Sequence, residues 1–422
     1  MQSVKVHGNE PNAEVLSAII KAGERFSIIA SQDIVDIRDI KLWAKGQPVT
    51  SSLQHRLLNR KLKHPLEACL AVEDGVTLFS LQEDLQGFLD GDSPLGMALR
   101  PWAPMLMKNL KQLPLHSVAQ LLLTTALATR PDSLPHAVAA MALAGAAADG
   151  PTYAVDVRLA MLGGLLHDIG EVYIHPQYVD LEGPMDLVTH KHLIVHPRMA
   201  QMLLSTTTDY PEELCLAIGE HHERVNGSGY PARLYQHNSS ALGRLLSVVE
   251  TTLGIVRSPY APITRASFAL RVVPGEFDPN WTSFVCNLTR NVDETLLPDR
   301  SSDLPLEGSL LDHIDQRIEQ TDVLKATLKA QGRDGPILDI VDTAWFRLTR
   351  LRVAWNALGF WGADAAELNP LEEFELELAH RELQQRLTQL QRECLLLAER
   401  LGELEKTWIE PLWRGVLLEP AR

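Results

Sequence analysis

Nine of the 15 histidines fall between His136 and His237, about a quarter of the chain, where even scattering would place three or four. Two runs stand out there: Gly-Leu-Leu-His167-Asp168-Ile-Gly170, and His221-His222-Glu223-Arg224-Val225-Asn226-Gly227-Ser228-Gly229-Tyr230-Pro231. Neutral imidazole and carboxylate are the side chains that borderline transition metals accept, and one carboxylate bridges two ions standing ~3.5–4 Å apart. His167-Asp168 therefore reads as one ion bound through each residue, with Asp168 shared. The doublet alone describes a capped helix end with a solvated histidine equally well. Its accompaniment selects the metal reading: His136 lies one helical hairpin upstream, and His196-Pro197, His221-His222 and Glu250 lie downstream.

Helices must position these groups. Residues 137–148 are alanine-rich, which favours helix and close helix packing. A second helix is expected over 156–166, from a potential N-cap at Thr152 to the His-Asp doublet. Others are expected over 190–204 and 211–222. Adjacent helical residues point about 100° apart, so His221 and His222 reach one cluster only near a helix end, which the following Asn-Gly-Ser-Gly supplies. Upstream, Leu78, Leu81, Leu85 and Leu89 recur at helical spacing before the Gly91-Asp-Ser-Pro94 break, and further helix is expected over 106–113 and past Pro114 through Leu121. His116 there reads as a packing residue. The first 72 residues look β-containing, with β-branched runs at 26–30 and 34–43, a turn at Gly46, and a Ser51/Gln54 capping box opening a short helix through Leu62.

After Asn291 the pattern is helical again. One helix is expected over 309–330, closing at Gly332, and another from Pro336 to Gly359. A third opens at Asn369-Pro370, with Glu372 and Glu373 in its first turn. Leu376, Leu383, Leu387, Leu390, Cys394, Leu397, Leu401, Leu404 and Trp408 then form a heptad seam. The seam describes either a coiled coil pairing two chains or a long helix packed on its own protein; the reading preferred is a homodimer or partner contact through this helix.

With 422 residues, 45% hydrophobic and 22% charged, the chain has ordinary globular composition and the length for two to four domains. A formal charge of −15 argues against broad DNA, RNA or anionic-membrane binding. An anionic ligand must instead be held by metals or local dipoles. Cys69, Cys215, Cys286 and Cys394 show no paired spacing, so neither a disulfide framework nor a thiolate zinc site is indicated. The N-terminus lacks a signal-peptide core, and no run of 18 or more apolar residues occurs to span a bilayer. A cytoplasmic protein is expected.

Over residues 132–279 these motifs resemble the HD-GYP domain family, part of the HD superfamily of metal-dependent phosphohydrolases. His136 matches the family's first histidine, His167-Asp168 its His-Asp pair, and His196-Pro197 its lone His-Pro. His221-His222 matches the double histidine, Gly229-Tyr230-Pro231 the naming loop, and Gly275-Glu276-Phe277-Asp278-Pro279 the family's ending. The residue patterns above place a small β-containing N-terminal module over 1–72, a helical connector over 73–130 and a C-terminal helical region over 291–422 with a heptad helix over 370–410. The resemblance implies a mainly α fold with an HD-type helical bundle core and a metal-binding domain over 131–290. It further implies linearisation of cyclic di-GMP, a bacterial second messenger, at two or three divalent transition metals, Fe or Mn favoured and Zn admissible. Asp168 would bridge; His136, His167 and Glu250 would complete one ion, and His196, His221 and His222 the other. Asp132 is placed to reach a third. Asn226, Gly227, Gly229, Tyr230 and Pro231 would line the substrate, with Tyr230 stacking on a purine, ordering the wall or anchoring a turn. His175, His190, His192 and His237 are left outside the cage.

Four positions depart from the family pattern. Glu171 stands where the family has Lys, Asn226 where it usually has Asp, Glu250 where it has the last metal-binding Asp, and Ser258-Pro259-Tyr260 where it has Arg-Pro-Tyr, with Ala261 following. The metal cage is nearly complete, and the cationic phosphate grip looks dismantled. Two functions follow: a phosphodiesterase acting through metal-activated water on cyclic di-GMP or another phosphoester, or a weak or inactive relative that binds metal or nucleotide and signals through its C-terminal helices. By charge alone Glu171 opposes phosphate, so Glu171→Lys is expected to raise turnover.

Overall fold

Val15, Leu16, Ile19 and Ala22 are buried along one face of α1 (Ala13–Ala22), which starts where Asn12 Oδ1 accepts the backbone N–H groups of Glu14 and Val15. The computed structural model describes residues 11–57, 60–150, 155–179, 185–257, 261–294, 308–359 and 369–412; Thr152 and Ser258-Pro259-Tyr260 lie outside them. After α1 come β1 (Ile28–Ala30), β2 (Ile34–Val35), β3 (Lys41–Trp43), α2 (Ser51–Leu57) and β4 (Leu70–Val72). β1 pairs antiparallel with β4 and β2 with β3, so the expected β content is present as two small sheets. Of the short helix expected through Leu62, the described residues show Ser51–Leu57, and Leu62 bridges to Asp36 beside the second sheet.

The connector forms α3 (Leu78–Asp90), α4 (Pro94–Leu99), α5 (Ala103–Leu110) and α6 (Ser117–Thr129). Its break falls at Gly91-Asp92-Ser93, where Ser93 Oγ accepts the Gly96 N–H and starts α4. His116 caps α6, its Nδ1 accepting the Val118 N–H at 3.1 Å, in keeping with a packing role. The central helices are α7 (Ser133–Ala148), α8 (Val157–Leu166), α9 (Leu187–Leu193), α10 (His196–Thr207), α11 (Glu212–Gly219), α12 (Ala241–Ile255), α13 (Pro262–Val272) and α14 (Pro279–Leu288). Asp156, not Thr152, supplies the cap of α8. The single helix expected over 190–204 is two helices, because Pro197 lacks an N–H and fits only a first turn; the chain turns at Ile194-Val195 and restarts at His196. One apolar core runs unbroken from Val15 to Leu288, so the N-terminal module is packed on the central helices through α1 and α6.

A second core gathers α15 (Gly308–Ala330), α16 (Pro336–Ala357), α17 (Pro370–Ala398) and α18 (Glu403–Ile409) against Val272 and Val273. Asn369 opens α17 with a capping box: its Oδ1 accepts the Leu371 and Glu372 N–H groups while Glu372 accepts its own. The helix expected over 370–410 breaks after Ala398, and Gly402 starts α18. Leu376, Leu383, Leu387, Leu390 and Cys394 of the heptad seam are buried inside this second core, by α16 and α13 of the same chain. These five residues pack internally while Leu404 of the same seam is exposed, so most of the apolar surface that motivated a homodimer through this helix is covered within the chain. Leu383 is fully buried, so Leu383→Ala is expected to destabilise the protein by about 2–5 kcal/mol, read as a lowered denaturant midpoint. Among the described residues, no helix is long and apolar enough to cross a membrane.

Candidate metal centre

Four helix ends and one helix middle bring the predicted ligands together. His136 lies in the first turn of α7, His167 follows the last residue of α8, and His196 is the first residue of α10. α11 stops at Gly219, three residues earlier than expected, so His221 and His222 sit in the turn beyond it and both side chains converge. Glu250 projects from within α12. The tight turn Ile169–Tyr173 that follows Asp168 lies against the start of α10. A Cβ on Gly170 would stand 2.1 Å from the His196 carbonyl oxygen, so only glycine lets these two ligand-bearing segments touch.

The seven ligands form two sets that share Asp168: His136, His167, Asp168 and Glu250 in one, and Asp168, His196, His221 and His222 in the other. Asp168 Oδ2 lies 3.3 Å from His136 Nε2 and 3.1 Å from His167 Nε2, while Oδ1 lies 3.4 Å from the Nε2 atoms of both His196 and His221. Glu250 Oε2 closes the first set at 3.4 Å from His136 and 3.2 Å from His167. Ligand atoms that share one ion at ~2.0–2.2 Å stand roughly 3–3.5 Å apart, so the donor set fits two cations with a bridging carboxylate. Three rings are aimed by carbonyls three residues earlier in the chain: Nδ1–H of His167 donates to the Gly164 carbonyl of α8 at 2.8 Å, that of His221 to Ile218 of α11 at 2.6 Å, and that of His196 to Leu193, the last residue of α9, at 2.7 Å. This fixes the tautomer that presents Nε2 to a metal.

The electrostatics ask for positive charge. Burial disfavours charge on His136, yet hydrogen bonds to Asp168 and Glu250 prevail and push its pKa up to about 9. His167 is also raised, the field of Asp168 outweighing burial, while burial raises and the neighbouring imidazoles more strongly lower the pKa values of Asp168 and Glu250. Burial instead pushes His221 down to about 4 and lowers His222, keeping that pair neutral and ready to donate lone pairs.

The predicted substrate loop divides. Tyr230 stacks on His222 with ring centres 4.4 Å apart and meets His190 edge-on at 6.0 Å, so its ring orders the wall of the second ligand set. Gly229 packs on the His222 backbone, where a Cβ would fall 2.4 Å from the His222 carbonyl oxygen. Pro231 follows a cis peptide and is exposed. Asn226 and Gly227 lie on the other side: Asn226 Oδ1 accepts the Ser228 N–H, and the Gly227 carbonyl accepts Arg347 Nη2 of α16 at 2.8 Å. Arg347 and Arg233 both pair with Glu393 of α17, so the loop is clasped by the C-terminal helices. Asp132 is exposed beside the site and belongs to neither ligand set. His175 caps a turn, His192 stacks on Tyr178 and His237 on Tyr235, leaving His190, under Tyr230, as the extra histidine nearest the site.

Sequence reasoning missed three residues here. Arg130 Nη1 pairs with Glu171 Oε2 at 2.6 Å, and Arg257 Nη2 lies 3.2 Å from His136 Nδ1; both arginines and Glu171 line a 670 Å³ cavity that reaches His136, Asp168 and Glu250. Glu171 thus has a cation of its own, and the cavity beside the first ligand set carries two guanidiniums. The available signal was a charge exchange, Arg six residues before His136 against Glu three after Asp168. The third is Glu223, whose buried carboxylate accepts the N–H groups of Ala232, Arg233 and Leu234 and folds the loop onto the doublet.

Residues 110–272 match the HD domain family, so the chain carries an HD domain of the metal-dependent HD superfamily. A cyclic di-GMP phosphodiesterase of Pseudomonas aeruginosa is 34% identical over 130 residues, which cover 29% of this chain and 31% of that relative. The chain thus spans about a third of the length of this relative. No solved structure matches the chain.

Proposed function

We propose that this chain is a metal-dependent phosphodiesterase of HD-GYP type that hydrolyses cyclic di-GMP or a related phosphoester. The observation that carries this reading is the Asp168 carboxylate, which turns one oxygen to each of two histidine-rich ligand sets. Two divalent cations bound there would hold a phosphate and bring the pKa of a water toward neutrality. The protein's own groups do the rest. His136, His167, Asp168, His196, His221, His222 and Glu250 hold the ions, and Arg130 and Arg257 offer guanidinium N–H groups to the phosphate oxygens from the cavity wall. Glu171 keeps Arg130 extended, and Tyr230 holds His222 in place by stacking. The family's cationic grip, absent from its usual positions, is supplied from these two.

A regulatory reading is favoured by one contact, the clasp of Arg347 and Glu393 on the Gly227 loop, through which the C-terminal helices touch the metal centre's wall. One experiment separates the two. Protein purified without oxygen is assayed for bound metal, then for hydrolysis of cyclic di-GMP and of the linear dinucleotide with Mn and Fe. At least one transition metal per chain and turnover above the metal-free control are expected. Metal or nucleotide binding without turnover supports the regulatory reading, and a chain that stays metal-free when supplied with Fe, Mn or Zn ends the phosphodiesterase reading.

A further inference from the structure

The tight turn after Asp168 leans on contacts from outside itself. The Asp168 carbonyl accepts the Glu171 N–H at 2.9 Å and the Glu171 carbonyl accepts the Ile174 N–H at 3.0 Å, which chains the two ends of the turn together. Turns of this tight, three-residue pitch have poorer hydrogen-bond geometry than an α-helix and are kept in place by their surroundings. Two supports come from the HD domain: Gly170 lies against the His196 carbonyl, and Glu171 pairs with Arg130. A third comes from the N-terminal module. Glu67, buried in the turn Leu66–Cys69 that leads into β4, accepts the Tyr173 hydroxyl at 2.6 Å. The same module also grips the helix that carries Arg130. Arg25 Nη1 donates to the Ala128 carbonyl of α6 at 3.3 Å, two residues before Arg130, and the Val76 N–H beyond β4 donates to Thr124 Oγ1 of α6 at 2.9 Å. The Arg130–Glu171 pair is thus held from both of its sides by the first part of the chain.

We infer that Glu67 and Tyr173 are positioning residues of the metal centre, through which the N-terminal module holds the Asp168–Glu171 turn where the bridging carboxylate faces both ligand sets. For its effect on rate this rests on the phosphodiesterase reading above; for its effect on metal binding it does not. Tyr173 stands five residues after Asp168, and the chained carbonyl bonds pass a displacement at one end of the turn to the other. Burial pushes the Glu67 carboxyl and the Tyr173 phenol above their usual pKa values, so the phenol remains the donor. Among the described residues Glu67 forms no ion pair, and the Tyr173 hydroxyl and its own backbone N–H steady the carboxyl against burial. A buried polar pair is costly to leave half made, and apolar side chains of similar size would bury at less cost. What the pair adds over apolar packing is direction: a hydrogen bond fixes the end of the turn at one point, whereas an apolar contact lets it slide.

The test separates position from adhesion. Tyr173→Phe keeps the ring and removes only the hydroxyl. In the full-length protein it is expected to raise the Kd for Co(II), read from the visible absorption of the bound ion, about tenfold, the scale on which contacts behind metal ligands act. At saturating Mn(II), kcat for cyclic di-GMP is expected to fall about tenfold with KM within twofold. Glu67→Leu is expected to match both effects, and Glu67→Gln, whose amide oxygen still accepts the hydroxyl, to recover most of the loss. Tyr173→Phe decides the matter if Glu67→Leu does not fold. A Tyr173→Phe protein that unfolds at lower denaturant yet binds Co(II) within twofold of the parent has lost adhesion alone, and overturns the inference. If the parent binds Co(II) and hydrolyses no cyclic di-GMP, the phosphodiesterase reading falls by itself, and the Co(II) affinities still test the positioning. If the parent binds no metal, hydrogen exchange over residues 169–174 decides: faster exchange in Tyr173→Phe, with α11 unchanged, is expected, and equal exchange overturns the inference.

Discussion

Asp168→Ala is expected to strip metal from both ligand sets at once and to lower phosphodiester hydrolysis by about 10³-fold or more, since acidification of water by bound cations is lost altogether. The size of the effect follows from the position of this carboxylate. Each of its oxygens stands within 3.4 Å of two imidazole nitrogens, one pair in each set, whereas removal of any histidine leaves the other set with all its donors. Loss of Asp168 also leaves His136 and His167 with Glu250 as their remaining carboxylate partner. Metal content by elemental analysis, measured beside the rate, is the check. A variant that keeps its full complement of metal shows that Asp168 is not the bridge.

The second large effect reverses a sequence-based expectation. Read by charge alone, Glu171→Lys restores a cation beside the His-Asp doublet and raises turnover. In the fold, Glu171 is the partner of Arg130 in a pair whose side chains are each 17% exposed. A lysine there sets two cations against each other; at ~4 Å and an effective dielectric of ~20 the repulsion is about 4 kcal/mol, which partial solvation reduces to about half. Arg130 then swings away from the cavity. The kcat/KM for cyclic di-GMP is expected to fall about tenfold or more, with metal content unchanged. Arg130→Glu combined with Glu171→Lys restores the pair with its charges exchanged and is expected to recover part of the loss, a coupling that a double-mutant cycle reads directly. A rise in kcat/KM for Glu171→Lys would sink the proposed grip by Arg130 and reinstate the charge-only reading.

The convergence of the candidate ligands was legible because few side chain types bind transition metals, and because helices bring together residues whose spacing shows only their periodicity. Even Glu250, one methylene longer than the family's Asp, lies in the same cluster as His136, His167 and Asp168. The Arg130–Glu171 pair was not legible, because a contact between residues 41 apart is decided by how α6 packs against the turn after α8, and neither segment records that. The heptad seam shows the same limit: spacing reveals that Leu383 and Leu387 need cover, and only the folded chain shows that α16 and α13 provide it. Pro197 did carry the signal for splitting the helix over 190–204, and the surrounding apolar periodicity masked it.

The steering bonds of the histidines give the two cation seats different mechanical characters. His167, His196 and His221 each hold their heading through a carbonyl three residues earlier, within one helix end for His167 and His221 and across the α9–α10 turn for His196. His136 has a different neighbour at the same nitrogen, Arg257, just beyond the end of the helix that carries Glu250. Two of the four donors of the first seat are therefore hung from α12 or tied to its end. α12 leads into α13, and α13 packs on α17. A tilt of α12 moves Glu250 directly and His136 through Arg257, and it reaches the His221-His222 turn through Ser247, whose Oγ donates to the Glu223 carbonyl, so α12 touches both seats.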